Sequence, residues 1–308
     1  MTVIDGMRLL ERLTITAPLG VRFWDVALRQ AVTSGLTMTG VLADDPHRTV
    51  SAFPNRSGVM VVRTLPGMRD LENSSGSDAD WQDAAARSIA LALTVTDEDR
   101  RFQPFSFRCD APQRGFARLS CPALSPPDSR LVPDAPDDAV PVFSTAARLV
   151  PAGLAVVRAQ LAQPPEMSSP PRDPAPAAWA FVEALVDDRD TPVGASYADA
   201  DGRVAILFPW PAPADQSLSS PPAPGGGGLL KQRWRVRLRA YYDRLASGEP
   251  PDLCRVLGQR PAQLWDDTAL VEPLGARDLA FGSELIVRSR DRAGGPGGLS
   301  ELLITPGT

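Results

Sequence analysis

The stretch WAFVEALVDDRDTPVGASYADADGRVAILFP, residues 179–209, decides the fold of this 308-residue chain. Its two apolar runs, residues 179–186 and 203–209, are separated by turns rich in Asp, Gly and Pro. Short apolar runs bounded by such residues are typical of β-strands and too short for most helices. The stretch therefore predicts strands joined by tight turns.

A weaker copy of this pattern lies earlier in the chain. Residues 21–24 (VRFW) and 36–42 (LTMTGVL) are apolar runs, and Gly58 begins another that stops at a Pro-Gly pair. Both copies follow the order strand, turn, strand, glycine, strand, proline. The DADG turn at 199–202 is replaced in the first copy by NRSG, which starts at Asn55. We predict an all-β chain with two tandem antiparallel β-sandwich domains.

Proline and glycine mark the expected boundaries, since the chain has 32 prolines and 24 glycines. Proline cannot donate a hydrogen bond to a sheet and so collects in turns and linkers. One short helical segment is expected near 252–266, where Asp252 suits a helix start and Pro261 divides the segment. The predicted parts are an N-terminal sandwich at 1–122, a Pro-rich linker at 123–141, and a C-terminal sandwich at 142–308 with a Pro/Gly-rich insertion at 211–228.

Charge and hydropathy narrow the function classes. The formal net charge is −5 and the sequence pI is about 5.1, without the basic stripe that nucleic-acid binding requires. No apolar run approaches the roughly 20 residues needed to span a bilayer, and the charged N-terminus does not resemble a signal peptide. We expect no nucleic-acid partner, no membrane span and synthesis in the cytoplasm. Release from the cell as part of an assembled particle stays open.

The three cysteines, Cys109, Cys121 and Cys254, are odd in number and lack the CxxC pairs of zinc sites. Their spacing does not indicate a disulfide scaffold. This favours a reducing compartment.

The inventory of reactive side chains does not predict an enzyme. His47, the one histidine, lies in the polar segment ADDPHRTV, where a solvated loop histidine is expected. A serine triad or cysteine dyad would need this histidine as its base. The carboxylates between Asp187 and Asp201 are of the type that binds calcium, but the twelve-residue calcium loop with its final Glu is absent, which favours ordinary turn chemistry. We predict no catalytic residue, no cofactor and no metal.

Tryptophans are the best candidates for contacts. Trp24, Trp179 and Trp234 lie in apolar strands and are expected in the core. Trp210, within FPWPAP, is the best candidate for an exposed aromatic contact. Pro209, Trp210 and Pro211 are therefore the predicted partner-contact residues.

Residues 183–209, EALVDDRDTPVGASYADADGRVAILFP, resemble the carboxypeptidase regulatory-like (transthyretin-like) β-sandwich family. The shared features are the acidic turn before Pro192-Val-Gly-Ala195 and the DADGR turn before an apolar strand that ends in proline. The first copy matches less well because it lacks the Asp-Gly turn. This resemblance implies a sandwich used as a spacer, docking or assembly module, with no catalytic residues to transfer.

The overall layout is similar to that of accessory proteins of phage-tail-like contractile injection systems: two sandwiches, then PDLCRVL (251–257) and a terminal SELLITPG strand (300–307). The resemblances together imply a non-enzymatic structural protein. Its expected partners are other proteins of a multi-subunit assembly. The alternative is a carbohydrate- or cell-surface-binding module that uses Trp210.

Overall fold

The computed structural model describes residues 15–121, 135–164, 174–212, 232–245, 250–291 and 300–307. Within these ranges the fold is all-β, as predicted, with short helices between some strands. The predicted linker up to residue 134 and the insertion from residue 213 onward lie outside the described residues.

The N-terminal region forms an antiparallel sheet in the order β1-β6-β5-β4-β7-β8. Two short helices connect β6 to β7. The elements are β1 (Leu19–Val21), β2 (Phe23–Asp25), β3 (Gln30–Val32), β4 (Leu36–Leu42), β5 (Thr49–Pro54), β6 (Met60–Val62), α1 (Arg69–Glu72), α2 (Asp78–Ala85), β7 (Ile89–Asp97) and β8 (Phe105–Ala111).

This sheet curls until its two ends approach each other. After β8, the Gln113 N–H donates to the Pro18 carbonyl at 2.9 Å, and the Ala117 N–H donates to the Gly20 carbonyl at 2.7 Å. Residues 113–117 therefore lie along β1 and link the far end of the sheet to its beginning. Alternate residues of β7 and β8, such as Leu91 and Phe107, face the enclosed core.

Residues 140–142, at the end of the predicted 123–141 linker and the start of the predicted C-terminal sandwich, form a strand in the structure. Strand β9 (Val140–Val142) is buried at all three residues and pairs in parallel with β2, which also pairs with β3. Val140 and Val142 join the apolar core, whereas Pro141 is tolerated because an edge strand does not need every N–H. The boundaries of the two predicted domains otherwise stay a prediction.

The C-terminal region forms a second, mixed sheet in the order β11-β10-β19-β16-β15-β12-β13. Strand β14 pairs with β10, β17 with β15, and β18 with β10. The elements are β10 (Leu154–Gln163), β11 (Ala175–Pro176), β12 (Phe181–Val186), β13 (Gly194–Tyr197), β14 (Arg203–Pro209), β15 (Arg233–Tyr241), α3 (Leu253–Leu257), β16 (Pro261–Trp265), β17 (Arg277–Ala280), β18 (Glu284–Ile286) and β19 (Leu302–Pro306).

The predicted helical segment at 252–266 is right for its first half and wrong for its second. Asp252 caps α3, accepting a hydrogen bond from the Arg255 N–H at 3.1 Å. Residues 261–265 instead form β16, which pairs with β19. The helix ends at Leu257, with Gly258 as its C-cap. Pro261 begins the strand, since a proline at the first position removes no ladder hydrogen bond inside it.

Strands β12 and β13 lie between two apolar cores. Every residue of both strands is buried. Phe181 and Tyr197 belong to the core shared with the N-terminal region, whereas Val182 and Val186 belong to the core inside the second sheet. The Phe143 ring lies 5.7 Å from the Phe181 ring, centroid to centroid, and so joins the two regions. A strand covered on both faces needs a mostly apolar sequence. The buried exceptions have hydrogen-bond partners: Glu183 accepts from the Arg239 guanidinium at 2.7 Å, and the Ser196 hydroxyl donates to the Ser144 carbonyl at 3.0 Å.

Candidate functional site

The predicted contact residues lie where β14 ends. Pro209, Trp210 and Pro211 are all half-buried. The Trp210 ring packs against Trp234 and Phe281, with centroids 5.4 Å and 4.9 Å away. Trp210 thus covers one end of the second core instead of standing free in solvent, and partner contact by these three residues stays a prediction.

The remaining predicted tryptophans and the histidine are placed largely as expected. Trp179 and Trp234 are buried, and Trp24 is half-buried. His47 is exposed in a loop, where its backbone N–H donates to the Asp45 carboxylate at 3.2 Å.

The turn carboxylates of Asp187 and Asp199 accept hydrogen bonds from backbone N–H groups. Asp199 Oδ1 accepts the N–H groups of Asp201 and Arg203 at 2.9 Å and 2.8 Å. Desolvation raises the pKa of Asp199, and these hydrogen bonds oppose the rise. Asp187 Oδ1 accepts the Arg235 N–H at 3.3 Å. In the described ranges, no three His, Cys, Asp or Glu side chains form a group that could hold a metal ion.

The cysteine spacing did not indicate a disulfide scaffold, but the structure contains one disulfide. Cys121 and Cys254 are joined by a disulfide across a sequence separation of 133 residues. Helix α3 brings Cys254 against the end of the N-terminal region, a contact that spacing alone does not reveal. The cysteines therefore give no support for a reducing compartment. Cys109 is buried in the core, and burial, with the nearby Asp110 charge, raises the pKa of its thiol to about 12.

A cleft of about 910 Å³ lies beside this disulfide. One wall is the outer face and free edge of the β7–β8 hairpin, and the opposite wall is the segment that leads into α3. Ala90 and Ala92 leave the sheet face open because their side chains are small. The cleft is lined by Ala90, Ala92, Ser106, Phe107, Arg108, Cys109, Asp110, Gln113, Arg118, Ser120, Leu245, Pro250, Pro251, Asp252, Cys254 and Arg255.

The cleft contains an edge of β8 that is mostly unpaired among the described residues. The Ser106 N–H points away from β7 and donates to the Pro251 carbonyl at 2.8 Å. Because the pairing with β7 is regular and antiparallel, the backbone groups of Arg108 and Asp110 point to the same side as those of Ser106. After Asp252 the chain turns into α3, so no described backbone segment pairs with β8 beyond Ser106.

Three exposed arginines face this edge: Arg108 on β8, Arg118 after it, and Arg255 on α3. Their side chains make no hydrogen bond or ion pair with any residue in the described ranges. Two carboxylates, Asp110 and Asp252, share the cleft, and Asp252 is already engaged as the cap of α3. The arrangement presents cationic groups next to open backbone donors and acceptors, which suits an extended anionic polypeptide.

Sequence reasoning missed this site because its residues are far apart in the chain. Arg108 and Asp110 do show one signal: they alternate with the buried Phe107 and Cys109 and so predict a strand with one wet face. Nothing in the spacing of Arg118 and Arg255 predicts that they meet there.

A second cavity, of about 580 Å³, lies where β2 meets the 144–151 segment. On its floor Arg148 donates to Asp25 at 2.6 Å, and both side chains are almost fully buried. The Arg148 guanidinium also lies 4.8 Å from the centre of the Phe102 ring. At its rim Leu149 is 89% exposed, on a segment that its neighbour Arg148 holds in place.

Comparisons with known proteins leave the chain without an assigned family: no family model matches it, and neither does any curated protein. None of the helices in the described ranges has the length and apolar character required to cross a membrane.

Proposed function

We propose that this chain is a non-enzymatic structural protein that mediates protein–protein contacts within a larger assembly. The observation that carries the proposal is the open edge of β8 inside the wide cleft. Unpaired strand edges template pairing with another chain, and proteins usually cover or blunt them. Here Pro251 covers the first residue of the edge, and within the described residues no backbone segment pairs with the rest. Leu149, at the rim of the second cavity, offers a separate apolar contact.

The finer proposal is that this assembly is a phage-tail-like contractile injection particle. It is supported only by the resemblance of the sequence layout, in which two stretches of sandwich-like pattern precede the PDLCRVL segment (251–257) and the terminal strand at 300–307. The alternative, a carbohydrate- or cell-surface-binding module, relies on an exposed Trp210. No structural observation favours it, since that ring packs on Trp234 and Phe281.

The test is sedimentation of a native lysate from the producing cell, with the chain detected by mass spectrometry. We expect it to travel with a large complex, and its absence from every large complex would overturn the proposal. Arg108→Pro should shift it to the light fractions, because proline removes an edge N–H that β7 does not use. Arg56→Gln, an exposed change outside the cleft, should leave sedimentation unchanged.

A further inference from the structure

We infer that the cleft beside β8 binds an extended, acidic segment of a partner protein, which adds a strand to the β8 edge. This inference rests on the proposed function and names the chemistry of the partner. Its two parts are the backbone edge, which recognises an extended chain, and the three arginines, which recognise its carboxylates.

The edge favours a polypeptide over other anions. The N–H and C=O groups of Arg108 and Asp110 repeat at the spacing of a β-strand, and an extended peptide supplies groups at the same spacing. Pro251 and Asp252 already occupy the first position of this added strand. An incoming segment would continue where α3 turns the chain away.

The charges favour an acidic sequence. Arg108, Arg118 and Arg255 lack partners in the described ranges, so they are free to pair with carboxylates of a ligand. Exposed charges steer association and select between partners more than they add affinity. Asp110 lies at the same edge and opposes a carboxylate placed directly beside it, so it restricts the register of the acidic residues.

A nucleic acid is the competing polyanion, and the lining does not favour it. Single-stranded nucleic acids bind largely by stacking bases on exposed aromatic rings. Phe107 is the aromatic residue among the residues that line the cleft, and its side chain is 1% exposed. The cleft therefore offers cations and backbone groups but no exposed ring for stacking.

The experiment uses the oxidised full chain and a fluorescein-labelled peptide that alternates glutamate with valine. Fluorescence anisotropy should show saturable binding that weakens as salt is added. The triple variant Arg108→Gln, Arg118→Gln, Arg255→Gln should bind about tenfold more weakly or worse. The matched control Arg56→Gln, Arg233→Gln, Arg235→Gln removes the same charge from exposed positions outside the cleft and should bind as the wild type does.

Two further probes separate strand addition from charge attraction alone. A peptide of the same sequence with methylated backbone nitrogens should lose binding, since it cannot pair with the edge. Amide hydrogen exchange at Arg108 and Asp110 should be fast in the free protein and slow with the peptide bound. The Ser106 amide, which is already bonded to Pro251, should change little.

Several results would overturn the inference: no binding of the acidic peptide, equal binding by the two triple variants, or equal binding of the methylated peptide. Tighter binding of an oligothymidylate to the same arginines would assign the cleft to nucleic acid instead. If the peptide fails while the chain still sediments with a large complex in an Arg108-dependent way, the inference fails and the proposed function stands. If the peptide binds but the chain stays in the light fractions, the proposed assembly role fails.

Discussion

The turns at 55–58 and 199–202 have the same hydrogen bonds but connect their strands differently. Asn55 Oδ1 accepts the N–H groups two and four residues later at 2.8 Å and 3.0 Å, and Asp199 Oδ1 does so at 2.9 Å and 2.8 Å. Gly58 and Gly202 have φ of 76° and 78°, and each donates its N–H to the carbonyl of the first turn residue at 3.0 Å. The absence of an Asp-Gly pair in the first copy thus has no structural consequence at the turn.

Beyond the turns the two regions differ. In the N-terminal region β5 and β6 stay paired as a hairpin. In the C-terminal region the strands on either side of the turn separate: β13 pairs with β12, and β14 pairs with β10. An Asx side chain and a glycine determine the turn, whereas burial of the flanking strands determines which neighbours they pair with. Strand β13 is buried along its length, and β5 is mostly exposed.

Both regions bury carboxylates that pair with arginine, and Asp25 and Asp266 show how the partners differ. Asp25 pairs with Arg148, and the two side chains are only 3% and 5% exposed. Asp266 pairs with two arginines, Arg277 and Arg290, whose side chains are 32% and 69% exposed. Desolvation and the neighbouring Arg290 charge lower the pKa of Arg277.

The different burial of these two ion pairs predicts the largest effect on the free energy of unfolding. Arg148→Met should lower the free energy of unfolding by about 3–5 kcal/mol, because it leaves the Asp25 carboxylate buried without its positively charged partner. Arg290→Met should cost about 1 kcal/mol or less, since an exposed arginine contributes little and Arg277 still pairs with Asp266. Urea denaturation measures both. Similar losses for the two variants would show that burial does not distinguish the two carboxylates.

The disulfide that joins the regions should have the next largest effect. The double variant Cys121→Ser, Cys254→Ser should lose about 2–5 kcal/mol of stability, because the bond closes a long loop in the unfolded chain. The wild type should become less stable on adding dithiothreitol, and the double variant should not respond. An identical response of both proteins to the reductant would contradict the pairing.

The two turn glycines should be equally intolerant of a side chain. A Cβ on Gly202 would lie 2.2 Å from the Leu161 carbonyl oxygen, and one on Gly58 would lie 2.4 Å from the Thr33 Cα. Each change to alanine should cost about 2 kcal/mol or more, from left-handed backbone strain plus the clash. Gly153→Ala is the control: it has φ of 87° and no neighbour within 4 Å, so it should cost only about 1 kcal/mol. Thermal unfolding compares the three, and equal losses would mean that the close contacts add nothing.

The smallest effect concerns the one chemical difference between the turns. Asp199→Asn keeps the acceptor oxygen, as Asn55 does naturally, and removes a desolvated charge. Because the folded-state pKa of Asp199 lies above its usual 3.8, ionisation weakens the folded state. The wild type should therefore lose stability relative to the variant as pH rises from about 3 to 6, and the variant should be slightly more stable at neutral pH. A difference that does not change over this pH range would refute the assigned role of the charge.

Many of the strands could be predicted because the pattern of apolar and polar residues within each segment indicates them. Arg233–Tyr241 alternates arginine with apolar residues, and β15 exposes Arg233 and Arg235 while burying Trp234 and Val236. The run at 181–186, apolar except for Glu183, predicted a strand, and its burial on both faces explains why polar residues do not alternate along it.

The errors concern contacts between distant residues. Residues 261–265 were expected to be helical, yet they pair with a strand that lies some forty positions later, Gln263 opposite Thr305. The disulfide and the cleft beside β8 likewise bring residues before 122 into contact with residues after 244. Spacing within a single sequence contains no signal for such meetings, which depend on how the two sheets pack.

The Cys121–Cys254 bond makes the intervening chain a covalent ring that includes every strand from β9 to β15. A single backbone cut anywhere inside this ring does not release a fragment. The nicked protein keeps its mass on a non-reducing gel and separates into two bands only after reduction. A protein with this topology can be cleaved once by a protease inside the ring and still remain in one piece.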